Sequence, residues 1–252
     1  YDLESTSMGM NPLFPWLDNV LWPSMTEASW NDADGNPVFD SEAMRLAYSA
    51  QKELIDYQGG YAVATGWESD FGPARGSVTD PILTGEAGFL LLPDSAISSI
   101  YNAGVEAGYA YGEDWGIARV PGKSMFTAAV YEMNAKTKNP EASWEVMSYL
   151  NSKEAMTYLA EGEKGVGALM PRKSALDALS EKEGVCDALK EVAVLLKEAD
   201  LQSFPMSGYV NEYLGAIGNN MTAYMEGTMD MDTAVSNIQE EVQAAADAFN
   251  GK

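Results

Sequence analysis

The sequence predicts an α/β fold, and three observations carry that expectation. Residues 126–133, FTAAVYEM, form a short apolar run dense in Val, Tyr, Phe and Ala, which suits a strand buried on both faces. After a polar turn, Asn139-Pro140-Glu141 carries a helix-start signature: Asn as N-cap, Pro at the first helical position, Glu against the positive end of the dipole. Helical spacing of apolar residues then recurs, as in Trp144, Met147 and Leu150, and in Val235, Ile238, Val242, Ala245 and Phe249.

Composition narrows the function classes. A chain of 252 residues and 27.2 kDa with 46% hydrophobic content can bury a sizeable core, as one large domain or two small ones. Against 38 Asp and Glu stand only 15 Lys and Arg, giving a net charge of −23. Nucleic acid and anionic membrane surfaces are repelled by such a chain, whereas a neutral or cationic ligand is compatible with it. The chain has no histidine, which removes Ser-His-Asp and Cys-His nucleophile systems and His-ligated zinc. The single cysteine, Cys186, excludes an intrachain disulfide and falls in a helical stretch that suits a packed thiol. No metal site and no cofactor is expected, and no stretch approaches the ~20 apolar residues of a membrane span.

In chain order, residues 1–30 are rich in aromatics and prolines, which fix a loop rather than a long helix. Phe14, Trp16 and Trp22 form either that loop's own small core or a platform on which a sugar ring stacks. The following stretch, NDADGNPVFDSEAM, has acidic and amide side chains in a spacing that fails for a calcium loop. It reads instead as a turn leading into a helix capped by Asp40 or Ser41, with Met44, Tyr48, Leu54 and Ile55 on the buried side. Residues 58–80 read as a loop with extended pieces, from which Trp67 and Phe71 could reach a ligand. A short buried strand is expected from Phe89 to Leu92, followed by a Pro-Asp-Ser junction and a helix. Asp94 and Ser95 then sit at a strand's carboxyl end, where open α/β folds bind ligands, or serve merely as the N-cap.

Ser152 looks like the N-cap of a helix carrying Met156 and Leu159. The glycines at 165 and 167 are too sparse for a phosphate-binding loop. Helices follow at Ser174 to Leu179 and roughly Val185 to Ala199, and Arg172 before them is a candidate for a ligand hydroxyl or a hinge pairing. From residue 203 a loop becomes a helix whose buried face holds Val210, Tyr213, Leu214, Ile217, Met221, Tyr224 and Met225. That periodicity makes Tyr213 a core residue more readily than a ligand contact, and leaves Tyr209, ahead of the helix, the freer aromatic.

Four phrases together carry a family resemblance: DGNPVFDSEAMRLAYSAQKEL, WGIARVPGKS, KNPEASWEVMSYLNSKEAMTYLAEG and GALMPRKSAL. In this order they resemble the extracellular solute-binding proteins of ABC importers, in particular the sugar-binding family that includes maltose-binding protein. The resemblance implies a two-lobe, periplasmic-binding-protein-like (type II) architecture with the first part of the N-terminal lobe missing. Residues 1–120 would form the second lobe, 121–200 the hinge crossover and return segment of the first lobe, and 201–252 further second-lobe helices.

It also implies a binding protein rather than an enzyme, holding a sugar or oligosaccharide in an interlobe cleft. Its location would be outside the cytoplasm, as a periplasmic or lipid-anchored cell-surface protein, with ABC permease subunits as partners. A second chain completing the missing lobe is a further expected partner. Trp16 or Trp22 and Tyr209 would stack on sugar faces, Asn11, Asp94, Ser95 and Asn211 would satisfy hydroxyls, and Tyr213, from the same loop-to-helix segment as Tyr209 and Asn211, would also reach the ligand. The family's Trp after the strand ending near Leu92 has no counterpart here, because Pro93-Asp94-Ser95 stands in its place. The rival readings are a carboxylate-dependent carbohydrate-active enzyme, which also uses paired acids and aromatic platforms, and a non-transport surface binding protein.

Overall fold

The computed structural model describes residues 8–13, 18–127, 130–161, 167–203 and 207–251. The described elements run β1 (Met8–Asn11), α1 (Asp18–Met25), α2 (Glu42–Tyr57), α3 (Tyr61–Phe71), α4 (Pro81–Thr84), β2 (Ala87–Leu90), α5 (Ile97–Ala107) and β3 (Ser124–Phe126). They continue with α6 (Pro140–Leu150), α7 (Lys153–Ala160), α8 (Lys173–Ser180), α9 (Asp187–Glu198), β4 (Leu201–Ser203), α10 (Val210–Met225) and α11 (Met231–Phe249). Strand β2 lies parallel to β1, with Met10 opposite Phe89 and Asn11 opposite Leu90, and β4 lies parallel to β3. Parallel pairing requires a crossover, and each pair is spanned by helices.

Helix starts follow local chemistry. Ser41 accepts from the Met44 N–H, Ser152 from the Ala155 N–H and Asp230 from the Thr233 N–H, each satisfying an orphan donor of the first turn. Asn139 takes the N-cap place of α6 without a side-chain bond. In the 31–37 turn, Asp32 Oδ1 accepts the N–H groups of Asp34 and Asn36, at 2.9 and 2.8 Å, with Gly35 at positive φ.

Hydrogen bonding limits the β1–β2 sheet to two strands on the α2 side. Gln58, just past α2, accepts from the Met10 N–H at 3.1 Å and donates to the Met10 carbonyl at 2.7 Å, the pair of bonds a further strand would have made. Gln51 Nε2 donates to the Pro12 carbonyl at 3.2 Å in the same way. This edge is thereby closed by side chains. The two strands come close at Gly88, where a Cβ would stand 2.7 Å from the Gly9 carbonyl oxygen, so only glycine fits.

The largest core joins α2 to α10 and α11. Met44, Tyr48, Ile55, Ile217, Ile238 and Val242 are fully buried in it. Phe39 and Tyr48 rings lie 5.6 Å apart, and Trp30 meets Tyr213 edge-on at 5.8 Å. A second core joins α5 to α9, with Ala188 buried among Leu83, Ile100 and Trp115. The Tyr111 hydroxyl donates to Glu191 on α9 at 2.6 Å, and half-buried Cys186 begins that helix with its thiol pKa pushed up by burial. Helix α9 thus shares a core with the 81–117 region.

Four elements depart from the sequence expectation. Residues 61–71, read as part of a loop with extended pieces, form helix α3, which carries Trp67 and Phe71. Of the apolar run 126–133, only Phe126 lies in a strand among the described residues; Val130, Tyr131 and Met133 are 68%, 48% and 42% exposed with no regular structure. A strand needs ladder partners, and among the described residues β3 pairs with β4 alone, through Phe126 opposite Ser203. Helix α6 has no buried residue, and Trp144 is 64% exposed. Phe89 in β2 is likewise exposed.

Candidate functional site

The carboxyl ends of β1 and β2 lie side by side, and the chain leaves them through Pro12-Leu13 and through Leu91–Ser95. In open α/β folds this is where ligands bind, because the loops diverge there and leave a crevice.

Asn11 ends β1 fully buried. Its Oδ1 accepts the Leu13 N–H at 3.1 Å, and its Nδ2 donates to Glu68 Oε2 at 2.6 Å. Glu68 comes from α3, and the same Oε2 accepts Arg75 Nη2 at 2.6 Å. Arg75 follows the 3-10 turn Gly72–Ala74, so three separate segments converge on one carboxylate oxygen. The pair is mostly buried, with side chains 24% exposed for Glu68 and 12% for Arg75. Arg75 Nε is buried with no hydrogen-bond partner, an arrangement that costs about 1–3 kcal/mol when left unsatisfied. Gly72 faces the other oxygen of Glu68: a Cβ there would stand 2.6 Å from Oε1, so the glycine leaves that oxygen room.

Trp22 is 9% exposed, and its indole N–H donates to the Pro12 carbonyl at 3.0 Å. It packs with Leu21, Ala47 and Leu91, so it holds the β1 exit loop from beneath rather than offering a free ring face. Trp16 lies outside the described residues. Asp94 opens a 3-10 turn after β2, and its Oδ2 accepts the Leu169 N–H at 2.5 Å. Burial pushes its carboxyl above the ordinary 3.8, while that bond pulls the other way. Asp94 thus ties the β2 exit to the 167–170 loop. Ser95 beside it is exposed.

Tyr209 occupies the N-cap position of α10, is 6% exposed and packs near Phe249, ring centres 6.1 Å apart. Tyr213 is fully buried, with its hydroxyl donating to the Trp30 and Val38 carbonyls at 3.1 and 3.0 Å. No face of it is left for a ligand, as its place in the apolar stripe of α10 implies. Asn211 is exposed on the first turn of the same helix. Arg172 Nη1 donates to the Asn151 carbonyl at 2.7 Å and its Nε to Ser174, which makes it a tie between α6 and α8. Trp67 and Phe71 stack on each other at 5.1 Å, and Trp67 is buried against Met8 and Ala87.

Of the sequence-based candidates, Asn11 and Trp22 meet at the β1 exit, whereas Asp94 and Ser95 follow β2. Tyr209, Asn211 and Tyr213 belong to the start of α10. Sequence reasoning missed Glu68 and Arg75. A signal was present: Arg75 is the single Lys or Arg between Lys52 and Arg119, in a stretch with ten acidic residues. A solitary cation in such a stretch needs a designated carboxylate partner.

No protein-family model matches the chain, and no curated relative matches it by sequence. Solved structures do match. The sugar-binding protein MalE from the phytopathogen Xanthomonas citri aligns with a TM-score of 0.71 at 16% identity, over 97% of this chain and 60% of its own. The mannobiose-bound protein CpMnBP1 aligns at 0.69 and 14% identity, over 96% and 60%. The maltose-bound T. maritima MalE3 aligns at 0.65 and 19% identity, over 94% and 59%. The chain spans about three fifths of the length of these structures. Its fold is that of a MalE-like, type II periplasmic binding protein over that share of the length, mixed α/β and rich in helix.

Proposed function

We propose that this chain is the substrate-binding component of a bacterial ABC importer and that it holds a sugar or oligosaccharide. Its support is one observation: nearly the whole chain aligns with sugar-binding proteins, two of them with a disaccharide bound. In this reading the chain binds its ligand without altering it. The buried carboxylates of Asp80 and Asp94 fit that role, since each accepts backbone N–H groups and is engaged in holding loops.

The ligand would lie in a cleft whose one wall is the β1 and β2 exits with the start of α10. Ser95 and Asn211, both exposed, would bond sugar hydroxyls directly, and Asn11 and Asp94 would set the loops around them. Trp16 remains the proposed stacking ring, while Tyr209, 6% exposed and packed near Phe249, would hold the start of α10 as Trp22 holds the β1 exit. A polypeptide completing the first lobe, on this chain or a second one, would form the opposite wall, and hinge closure would trap the ligand. The protein would work outside the cytoplasm, in the periplasm or lipid-anchored at the cell surface, and present its closed form to permease subunits. Among the described residues no helix is long and apolar enough to cross a membrane.

A calorimetric and thermal-shift screen of neutral saccharides tests the proposal. Binding of a di- or trisaccharide supports it. No response to any saccharide, alongside tight binding of a peptide or polyamine, would sink the sugar assignment.

A further inference from the structure

We propose that Glu68 and Arg75 form a hydroxyl-reading pair that makes this end of the sheet selective for neutral polyols; the inference rests on the saccharide reading above. Four observations meet at this pair. It stands beside Asn11, at the carboxyl end of β1, the position at which open α/β folds bind ligands. Both donors, Asn11 Nδ2 and Arg75 Nη2, go to Oε2 of Glu68, which leaves Oε1 as an acceptor facing a glycine instead of a side chain. Arg75 Nε is a buried donor without a partner. Arg75 is also the solitary cation of the 53–118 stretch, so no other Lys or Arg from that stretch competes for the role.

An acceptor oxygen and an unsatisfied guanidinium donor on neighbouring groups match two adjacent hydroxyls of a sugar ring, one donating and one accepting. A small inward adjustment of Arg75 brings Nε to the second hydroxyl while Nη2 keeps its bond to Glu68. The same pairing sets selectivity. The arginine charge is balanced by a carboxylate 2.6 Å away, so a uronic acid or sugar phosphate would compete with Glu68 for it and bring a second negative charge beside the first. The site therefore takes neutral sugars and rejects acidic ones.

The chain contains four arginines, at 45, 75, 119 and 172, so each side-chain Nε–Hε signal in an ¹⁵N NMR spectrum is assignable by substitution, Arg75 by Arg75→Lys. Maltotriose and mannobiose are titrated into the 252-residue chain, with glucuronic acid as the acidic probe. The Arg75 signal should move with the saccharide while those of Arg45, Arg119 and Arg172 stay in place. Glu68→Gln should weaken neutral saccharide binding at least tenfold and narrow the preference over glucuronic acid, with backbone signals of α10 and α11 unchanged as proof of folding. If backbone amides report saccharide binding while the Arg75 signal stays still and Glu68→Gln keeps full affinity, the pair is a structural tie and the inference fails alone. If no saccharide perturbs any amide, the saccharide reading fails and takes the inference with it.

Discussion

Tyr213 and Trp144 are both large aromatic residues on helices with a clear apolar pattern, and they end in opposite surroundings. Tyr213 is fully buried, edge-on to Trp30, with its hydroxyl on two backbone carbonyls. Trp144 is 64% exposed on a helix with no buried residue, beside Val146 and Tyr149 at 59% and 58%. On α6, Trp144, Val146, Met147, Tyr149 and Leu150 take up more than half of the circumference, a pattern that belongs to a helix covered on most sides. Val130, Tyr131, Met133 and Tyr158 are further exposed apolar residues on either side of α6 in the chain. Periodicity thus states which face favours burial, while covering that face depends on distant chain. For α10 the cover is α2 and α11; for α6 it is the proposed first-lobe polypeptide.

The widest separation between the two regions should appear on truncation. Tyr213→Ala should cost about 3–5 kcal/mol in urea unfolding, as other buried aromatic truncations do. Trp144→Ala should change stability by less than about 0.5 kcal/mol, the ordinary range for a surface site. Equal losses would break the comparison. At the β1–β2 contact, Gly88→Ala places a Cβ against the Gly9 carbonyl and should cost about 1–3 kcal/mol, read by the same unfolding curve.

Ser41→Ala, which removes the cap of α2, should cost about 1 kcal/mol, since that helix belongs to the buried core. The smallest effect concerns Asp94. Burial raises its folded pKa above the ordinary 3.8, so its contribution favours the fold in acid and is lost as pH rises through the raised value. Asp94→Asn keeps an acceptor for the Leu169 N–H and carries no charge. Relative to the variant, wild type should therefore lose stability between acid and neutral pH. A pH-independent difference would show that burial does not perturb this carboxyl.

Much of the fold was legible because it is set locally. Ser41, Ser152 and the Asn139-Pro140 start lie where helices begin, and the stripes of α10 and α11 give the buried sides of both, except at Phe249, which is 63% exposed at the end of α11. The strands were less legible: the 126–133 run has strand composition, yet among the described residues its pairing stops at Phe126, and no residue of the run encodes that. The site was least legible, because its partners are brought together by the fold. Asn11 bonds Glu68 across 57 positions and Asp94 bonds Leu169 across 75, and nothing local marks either pairing. Tyr213 was the reverse case: its helical spacing pointed to the core, the resemblance pointed to the cleft, and the buried ring follows the spacing.

Hydrogen–deuterium exchange of the 252-residue chain, with and without maltotriose, tests the central claim most directly. Without sugar, amides of α10 and α11 should exchange slowly and those of α6 rapidly. With sugar, new protection should appear at residues 9–13, 68–76 and 91–95, where the two strand exits and the Glu68–Arg75 pair lie, and leave α6 unchanged. Protection confined to α6, or slow exchange of α6 in the free chain, would contradict both the position of the site and the contrast between the two regions.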